Sequence, residues 1–240
     1  MPIFSARKDT WIPNRLDNVF AAPRPQTDVR ASHCKSVCPG LKRIFDIVSA
    51  IILLLLLFPI LLLLALAIRL EGGPALYRHT RVGRNHKPFG CLKYRTMVSD
   101  ADQRLAEHLA ASPFAAMEWS ARRKLTCDPR ITRLGALLRR TSLDELPQLL
   151  NVLRGQMSLI GPRPVVQEEL DQHYGPAGRI AYSATRPGIT GLWQISGRSG
   201  TSYSERVALD ITYVKNWSLF LDMKILVLTV PAVLSRRGAV

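Results

Sequence analysis

Acidic side chains are scarce in this chain: 18 Asp and Glu stand against 33 Lys and Arg, and the formal net charge over 240 residues is +15. That shortage predicts attraction to anions in general, whether nucleic acid, anionic lipid head groups or phosphorylated substrates, and does not choose among them. Cysteine is also sparse. Cys34, Cys38, Cys91 and Cys127 do not make the dense framework of a small secreted domain, so reduced thiols facing the cytoplasm are expected. Cys34 and Cys38 with His33 resemble half a metal site, but no second Cys/His pair follows at matching spacing, and zinc is not expected. No helix-turn-helix, zinc-finger or aromatic RNA-binding signature is present, which argues against nucleic acid as the anion. The Gly-rich stretch RPGITGLWQISGRSG lacks the Gly-Lys-Ser/Thr of a Walker loop and gives no support to an ATPase. Long apolar runs are limited to one, too few for a polytopic membrane protein.

The length suits one domain with an anchor. Residues 1–40, rich in Pro, Arg and small polar residues without a sustained apolar period, read as a basic flexible tail. From Ile47 to Ile68 the chain carries no charge and is mostly Leu and Ile. About 20 such residues are enough to cross a bilayer. The run lies too deep in the chain, and lacks the small-residue cleavage site, to be a signal sequence. Pro59 near its middle removes a hydrogen bond and predicts a kink. Lys35, Lys42 and Arg43 precede the run, while Arg69, Arg78, Arg81, Arg84, Lys87, Lys93 and Arg95 follow it. With basic flanks on both sides, a kinked hairpin over residues 41–71 that enters and leaves by the cytoplasmic face satisfies the positive-inside rule better than a span.

Gly72, Gly73 and Pro74 end the helix. The segment ALYRHTRVGRNHKPFGCLKYRTM reads as short strands or loops, with Lys93 and Arg95 alternating against Leu92 and Tyr94 so that both basic side chains share a face. From Ser99 to Lys124 the pattern is amphipathic and helical, divided at Pro113; another short helix is expected over 131–140, ending in Arg139 and Arg140. A further helix is expected over 165–174. A helix carrying Asp210 and Tyr213 comes next, and the apolar stretch from Ile225 to Leu234, broken by Pro231, suits an interfacial or packed helix between Trp217 and Arg236-Arg237.

The stretch with most chemistry is RRTSLDELPQLLNVLRGQMSLIGPRP, Arg139 to Pro164. Pro147 fits the first helical position, which starts a helix there, runs it through Leu153, and leaves Asp144 and Glu145 just before it. An ionised Asp there can attack phosphorus or hold a metal. The competing reading is a capping box, with Ser142 and Glu145 as S-x-x-E and both acids serving the helix alone; Pro147 is awkward for it, because a helix beginning at Ser142 would lose an interior hydrogen bond. Arg139 and Arg140 offer bidentate bonds to phosphate or structural pairs to the two acids. Arg163, between Pro162 and Pro164, is aimed at low entropic cost.

With those motifs in line, the chain resembles the bacterial sugar transferases, the monotopic phosphoglycosyl transferases that start polysaccharide assembly on a polyprenyl phosphate. The resemblance covers roughly residues 41–237. KRIFDIVSAIILLLLLFPI looks like the family's re-entrant membrane helix, FGCLKYRTM like its basic strand, TSLDELPQLLNVLRGQMSLIGPRP like its catalytic core, and RPGITGLWQISGR and LDITYVKNWSLFLDMKIL like its C-terminal motifs. Phe58-Pro59 stands where some members have Ser-Pro. The resemblance implies an α+β, mainly helical fold, with a cytoplasmic catalytic domain over 72–240 on the bacterial inner membrane and contacts to anionic membrane lipid; assembly into a homo-oligomer is left open. It implies that Asp144 attacks the β-phosphate of a UDP-sugar, galactose or glucose first among them, that UMP leaves, and that undecaprenyl phosphate takes the sugar phosphate. It further implies that Glu145 joins Asp144 in binding Mg²⁺ or manages protons. Lys93, Arg95, Arg139 and Arg163 would position phosphate and nucleotide, and Asp210 would assist with metal or hold an arginine. The competing class is a non-enzymatic, basic, membrane-tethered scaffold of a polysaccharide assembly complex, which would need neither carboxylate nor metal.

Overall fold

The computed structural model describes residues 39–122, 124–196 and 202–234. The tail with Cys34 and Cys38, the Gly-rich segment around Arg198, and Arg236-Arg237 lie outside the described residues.

Helix α1, Pro39–Leu70, begins on a proline, as a first turn tolerates. It stops where Gly72 and Gly73 take positive φ and the Gly72 N–H closes on the Arg69 carbonyl. One continuous helix runs through Pro59, where the sequence reading expects a kinked hairpin; the missing N–H leaves the Leu55 carbonyl without its helical donor. One stripe of α1 faces protein: Lys42, Asp46, Ala50 and Ile68 are buried, and Leu53, Leu54, Leu61, Leu64 and Ala65 pack beside them. The opposite side is apolar and bare, with Leu55 at 72 % exposure. A helix apolar all round belongs in lipid or in a core, and this one has core on one side only. Among the described residues it is the one helix long and apolar enough to cross a membrane.

Strands β1, Leu76–Val82, and β2, Pro88–Tyr94, form an antiparallel hairpin in register from Leu76↔Tyr94 to Val82↔Pro88. Its turn is closed by Gly83 N–H on the Lys87 carbonyl at 2.8 Å, with Asn85 and His86 at positive φ. Helices α2, Ala101–Ala111, and α3, Pro113–Arg122, are divided at Pro113 as the sequence predicts. They are followed by α4, Arg133–Thr141, and the short α5, Gln148–Leu153.

Beyond α5, β3 (Ser158–Ile160) pairs in parallel with β4 (Gly188–Thr190). Between these strands lie α6, Gln167–His173, and α7, Gly175–Ala184; α8, Leu192–Ile195, follows β4. The described chain ends with α9, Tyr203–Lys215, and α10, Leu219–Leu234. The main core gathers the first half of α1 with α5, β3, α8, α9 and α10 around Met157, Ile160, Tyr213 and Ile225.

Charge is buried in that core but matched. The Asp222 carboxylate accepts from Lys42 Nζ at 2.6 Å, Tyr213 Oη at 2.8 Å and Trp217 Nε1 at 3.0 Å. Asp46 accepts from the Leu159 N–H at 3.0 Å and the Ser158 hydroxyl at 2.9 Å. Buried carboxylates are tolerated when so satisfied. Both pairs tie α1 to β3 and α10. Helix α10 turns Asp222 and Ile225 inward and leaves Phe220, Val227 and Val230 exposed, the two-sided pattern expected of an interfacial helix.

Candidate active site

Helix α4 is started by Thr132, whose hydroxyl accepts from the Gly135 N–H at 2.9 Å. Gly135 lies against the Thr96 carbonyl so closely that a Cβ would come within 2.1 Å of it. The helix ends at Ser142, left-handed at φ 58°, with Arg139 and Arg140 in the last turn, where cations complement the dipole. A single 3₁₀ turn, Leu143–Glu145, then carries the two acids, and α5 begins at Gln148 with Pro147 as its flanking residue. The carboxylates therefore stand just ahead of α5, as the sequence indicates. The capping box does not form: the Ser142 side chain caps nothing, and Glu145 points elsewhere.

Its partner is Lys93, the second-last residue of β2. Lys93 Nζ lies 2.8 Å from Glu145 Oε1, and Arg163 Nη2 lies 3.4 Å from the same oxygen. Burial raises the Glu145 pKa, but the two cations outweigh it and hold the carboxyl down at about 2. Asp144 is only 8 % exposed. Burial, reinforced by the Glu145 charge and opposed by Lys93 and Arg139, pushes its carboxyl up to about 6. Adjacent acids are thus set about four units apart, the pattern by which neighbouring carboxylates take separate roles. Arg139 is anchored by its Nε donating to Thr96 Oγ1 at 2.8 Å, and stands close enough to Asp144 for their charges to interact.

Asn151 fixes the dyad relative to the hairpin. Its amide oxygen accepts from the Leu92 N–H at 2.9 Å, and its nitrogen donates to the Gly90 carbonyl at 2.8 Å and to Gln156 Oε1 at 2.7 Å. A side chain of α5 thereby substitutes for a strand neighbour along β2. The Arg163 loop is fixed equally well, because the Gly161 N–H donates to the Thr190 carbonyl at 2.9 Å and the Gly188 N–H to the Pro162 carbonyl at 2.8 Å.

Lys93, Glu145 and Arg163 share one small cleft with Arg81, Cys91, Gln148, Pro164 and Ile189. Gln148 and Cys91 were within reach of the sequence: Gln148 follows Glu145 by three residues, and Cys91 precedes Lys93 by two on the same strand face. Arg81 depends on the β1–β2 register. Asp144 and Arg139 are not in the cleft's lining, and Arg95 and Asp210 are engaged elsewhere. Arg95 follows β2 and turns to the end of α1, donating to the carbonyls of Ile68, at 3.2 Å, and Gly72; it does not share a face with Lys93, because the strand has ended at Tyr94. Asp210 is buried in α9, accepts from Tyr174 Oη at 2.7 Å, and is raised to about 7 by burial against the pull of Tyr174 and Arg206. Asp210 lies outside the cleft, hydrogen-bonded to a tyrosine, with Arg206 acting on it only through its charge.

Among the described residues no group of three or more His, Cys, Asp or Glu could hold a metal ion. Carboxylate oxygens are the donor type Mg²⁺ takes, one or two from protein with the rest from water and substrate phosphate. Both cations engage Glu145 Oε1, so Oε2 and the Asp144 carboxylate are the oxygens suited to it.

A family profile described as bacterial sugar transferase matches residues 37–236. The exopolysaccharide production protein ExoY of Rhizobium meliloti is 51 % identical over 199 residues, covering 82 % of this chain and 87 % of the relative. The UDP-glucose:undecaprenyl-phosphate glucose-1-phosphate transferase of Caulobacter vibrioides is 47 % identical over 207 residues, 82 % of this chain and 71 % of its own length. The undecaprenyl-phosphate galactose phosphotransferase of Salmonella typhimurium is 49 % identical over 199 residues, 83 % of this chain, which spans only 41 % of that protein. With the profile covering most of its length and these relatives near half identity, the chain belongs to the bacterial sugar transferase family.

Proposed function

We propose that this protein transfers a sugar 1-phosphate from a UDP-sugar to undecaprenyl phosphate, with UMP as the other product, in the first membrane step of exopolysaccharide assembly. The observation that carries the proposal is the placement of buried Asp144 next to Glu145, on which Lys93 and Arg163 converge, in a chain of the bacterial sugar transferase family. Galactose and glucose are the favoured sugars because relatives near half identity are named for them.

In the first step the ionised Asp144 carboxylate attacks the β-phosphorus. An Asp–O–P bond forms, the P–O bond to UMP breaks, and UMP carries away the electron pair. In the second step an oxygen of undecaprenyl phosphate attacks the same phosphorus, and the carboxylate leaves with its electrons, regenerating the enzyme. Covalent catalysis of this kind replaces one difficult displacement by two easier ones. Burial leaves Asp144 weakly solvated and so a better nucleophile once ionised. Lys93 and Arg163 share the single Glu145 carboxylate, which leaves net positive charge in the cleft to meet the donor phosphates, and Arg139 lies near Asp144; fixed cations of this type stabilise phosphoryl transfer. Mg²⁺ held by Asp144 and Glu145 would offset phosphate charge.

The anchor supports a lipid acceptor. At its start Arg43 donates to the Val152 and Leu153 carbonyls at 2.7 and 3.0 Å. Toward its end Leu61 accepts from Tyr94 Oη at 2.8 Å and Ile68 accepts from Arg95. A straight helix of this length would reach about 46 Å, well beyond an apolar slab of about 30 Å. A spanning helix could not keep both ends on one small domain. A re-entrant helix entering from the cytoplasmic face can, and it sets the dyad at head-group height.

Purified protein in detergent with Mg²⁺ is expected to release UMP from one member of a UDP-sugar panel, faster with undecaprenyl phosphate, while Asp144→Asn releases none and Glu145→Gln retains a trace. Full activity in Asp144→Asn would overturn the mechanism, and silence of folded wild-type protein across the panel would overturn the donor class.

A further inference from the structure

Arg163 has an uneven set of contacts. Its backbone is held by the flanking prolines and by β4, yet its side chain is about one-third exposed and reaches Glu145 only at 3.4 Å. Its other side-chain neighbour is aromatic: the guanidinium carbon lies 5.3 Å from the Trp193 ring centroid. The same ring has a second cation, Arg206, at 5.0 Å. Arg206 is 9 % exposed. It lies over the Tyr203 ring at 5.1 Å, approaches Glu169 at 4.0 Å, and sits one helical turn before Asp210. Trp193 belongs to α8, which directly follows the strand that pins the Arg163 backbone. One segment, Gly188 to Ile195, therefore holds both ends of this arginine.

The contact with Glu145 cannot by itself position Arg163 during turnover, because a donor phosphate competes for the same guanidinium. The aromatic contact survives that exchange. From this geometry we infer that Trp193 is a positioning residue for donor binding: it holds the Arg163 guanidinium over the cleft while its charge passes from Glu145 to the incoming diphosphate, and Arg206 braces the ring from the core. Cation–π contacts tolerate lateral movement of the cation across the ring, which suits a side chain with two successive anionic partners. Preorganising the arginine appears in affinity for the donor more than in the chemical step. The inference rests on reading Arg163 as a ligand of the donor phosphates.

A double-mutant cycle on the full-length protein tests it, with UMP release measured against UDP-galactose or UDP-glucose, whichever the wild type uses. Trp193→Leu is expected to raise KM for the donor about tenfold with kcat changed less than threefold, and Trp193→Phe to restore most of the loss. In an Arg163→Ala background, Trp193→Leu is expected to add less than twofold. Equal effects of Trp193→Leu in both backgrounds, or failure of Trp193→Phe to rescue, would overturn the positioning role. A wild-type KM in Arg163→Ala alone would instead remove the assignment of Arg163 on which the inference depends.

Discussion

Asp144 has to ionise to act, and its surroundings resist ionisation. With its pKa at about 6, roughly one molecule in ten is protonated at pH 7. kcat/KM for the donor should therefore fall about tenfold per pH unit below 6, measured as initial UMP release at saturating acceptor. Because the Glu145 charge raises Asp144, the Glu145→Gln variant should carry its residual activity with the acid limb moved to lower pH. The same shift has a stability sign. The folded-state pKa lies above the ordinary Asp value near 4, so this residue's contribution is full below pH ~4 and is lost as pH rises through about 6. Asp144→Asn should thus be more stable than wild type by about 1–3 kcal/mol at pH 8, with the gap closing toward pH 4 in thermal melts. An active site that opposes its own folding would be visible in that pair of curves.

At the scale of elements, the dyad works only if α5 and the β1–β2 hairpin keep their relative position, and Asn151 is the side chain that joins them. Asn151→Ala would leave the Leu92 N–H and the Gly90 carbonyl without these partners in the interior. The expected cost is about 3 kcal/mol in denaturant or thermal unfolding, with activity lost in parallel. Much of the element order was legible because strong local signals mark it: Gly72-Gly73 ends α1, Pro113 divides α2 from α3, and Pro147 sits at the start of α5. Helix α7 was not anticipated, since Gly175, Pro176 and Gly178 are poor helix formers. Packing decides it instead, with Tyr182 buried and Gly178 close enough to α9 that a Cβ would lie 3.0 Å from Val207. The acids themselves were legible from charge and proline placement. Their partners were less so, because Lys93 and Glu145 are 52 residues apart, and nothing local indicates that Arg95 leaves the strand face to cap α1.

For the whole molecule, the account requires a cytosolic donor and a membrane-bound acceptor to meet at one carboxylate. The exposed apolar sides of α1 and α10, with Phe114 and Met117 on α3, give the protein apolar surface to hold it at the membrane. Both ends of α1 must then lie on the cytoplasmic side. Single cysteines at Leu41 and Leu70, both exposed, in a background lacking Cys34, Cys38 and Cys127, should react with an impermeant maleimide in inverted vesicles and not from the periplasmic side; labelling of either from the periplasm would exclude the re-entrant arrangement.

On the proposed mechanism Asp144 carries the sugar phosphate between the two substrates. The most direct measurement is intact-protein and peptide mass spectrometry after brief exposure to the UDP-sugar without undecaprenyl phosphate. A mass increase of one hexose phosphate is expected on the peptide containing Asp144, absent in Asp144→Asn and discharged on adding the lipid acceptor. An adduct on another residue, or UMP release that begins only when both substrates are present and leaves no adduct, would contradict it.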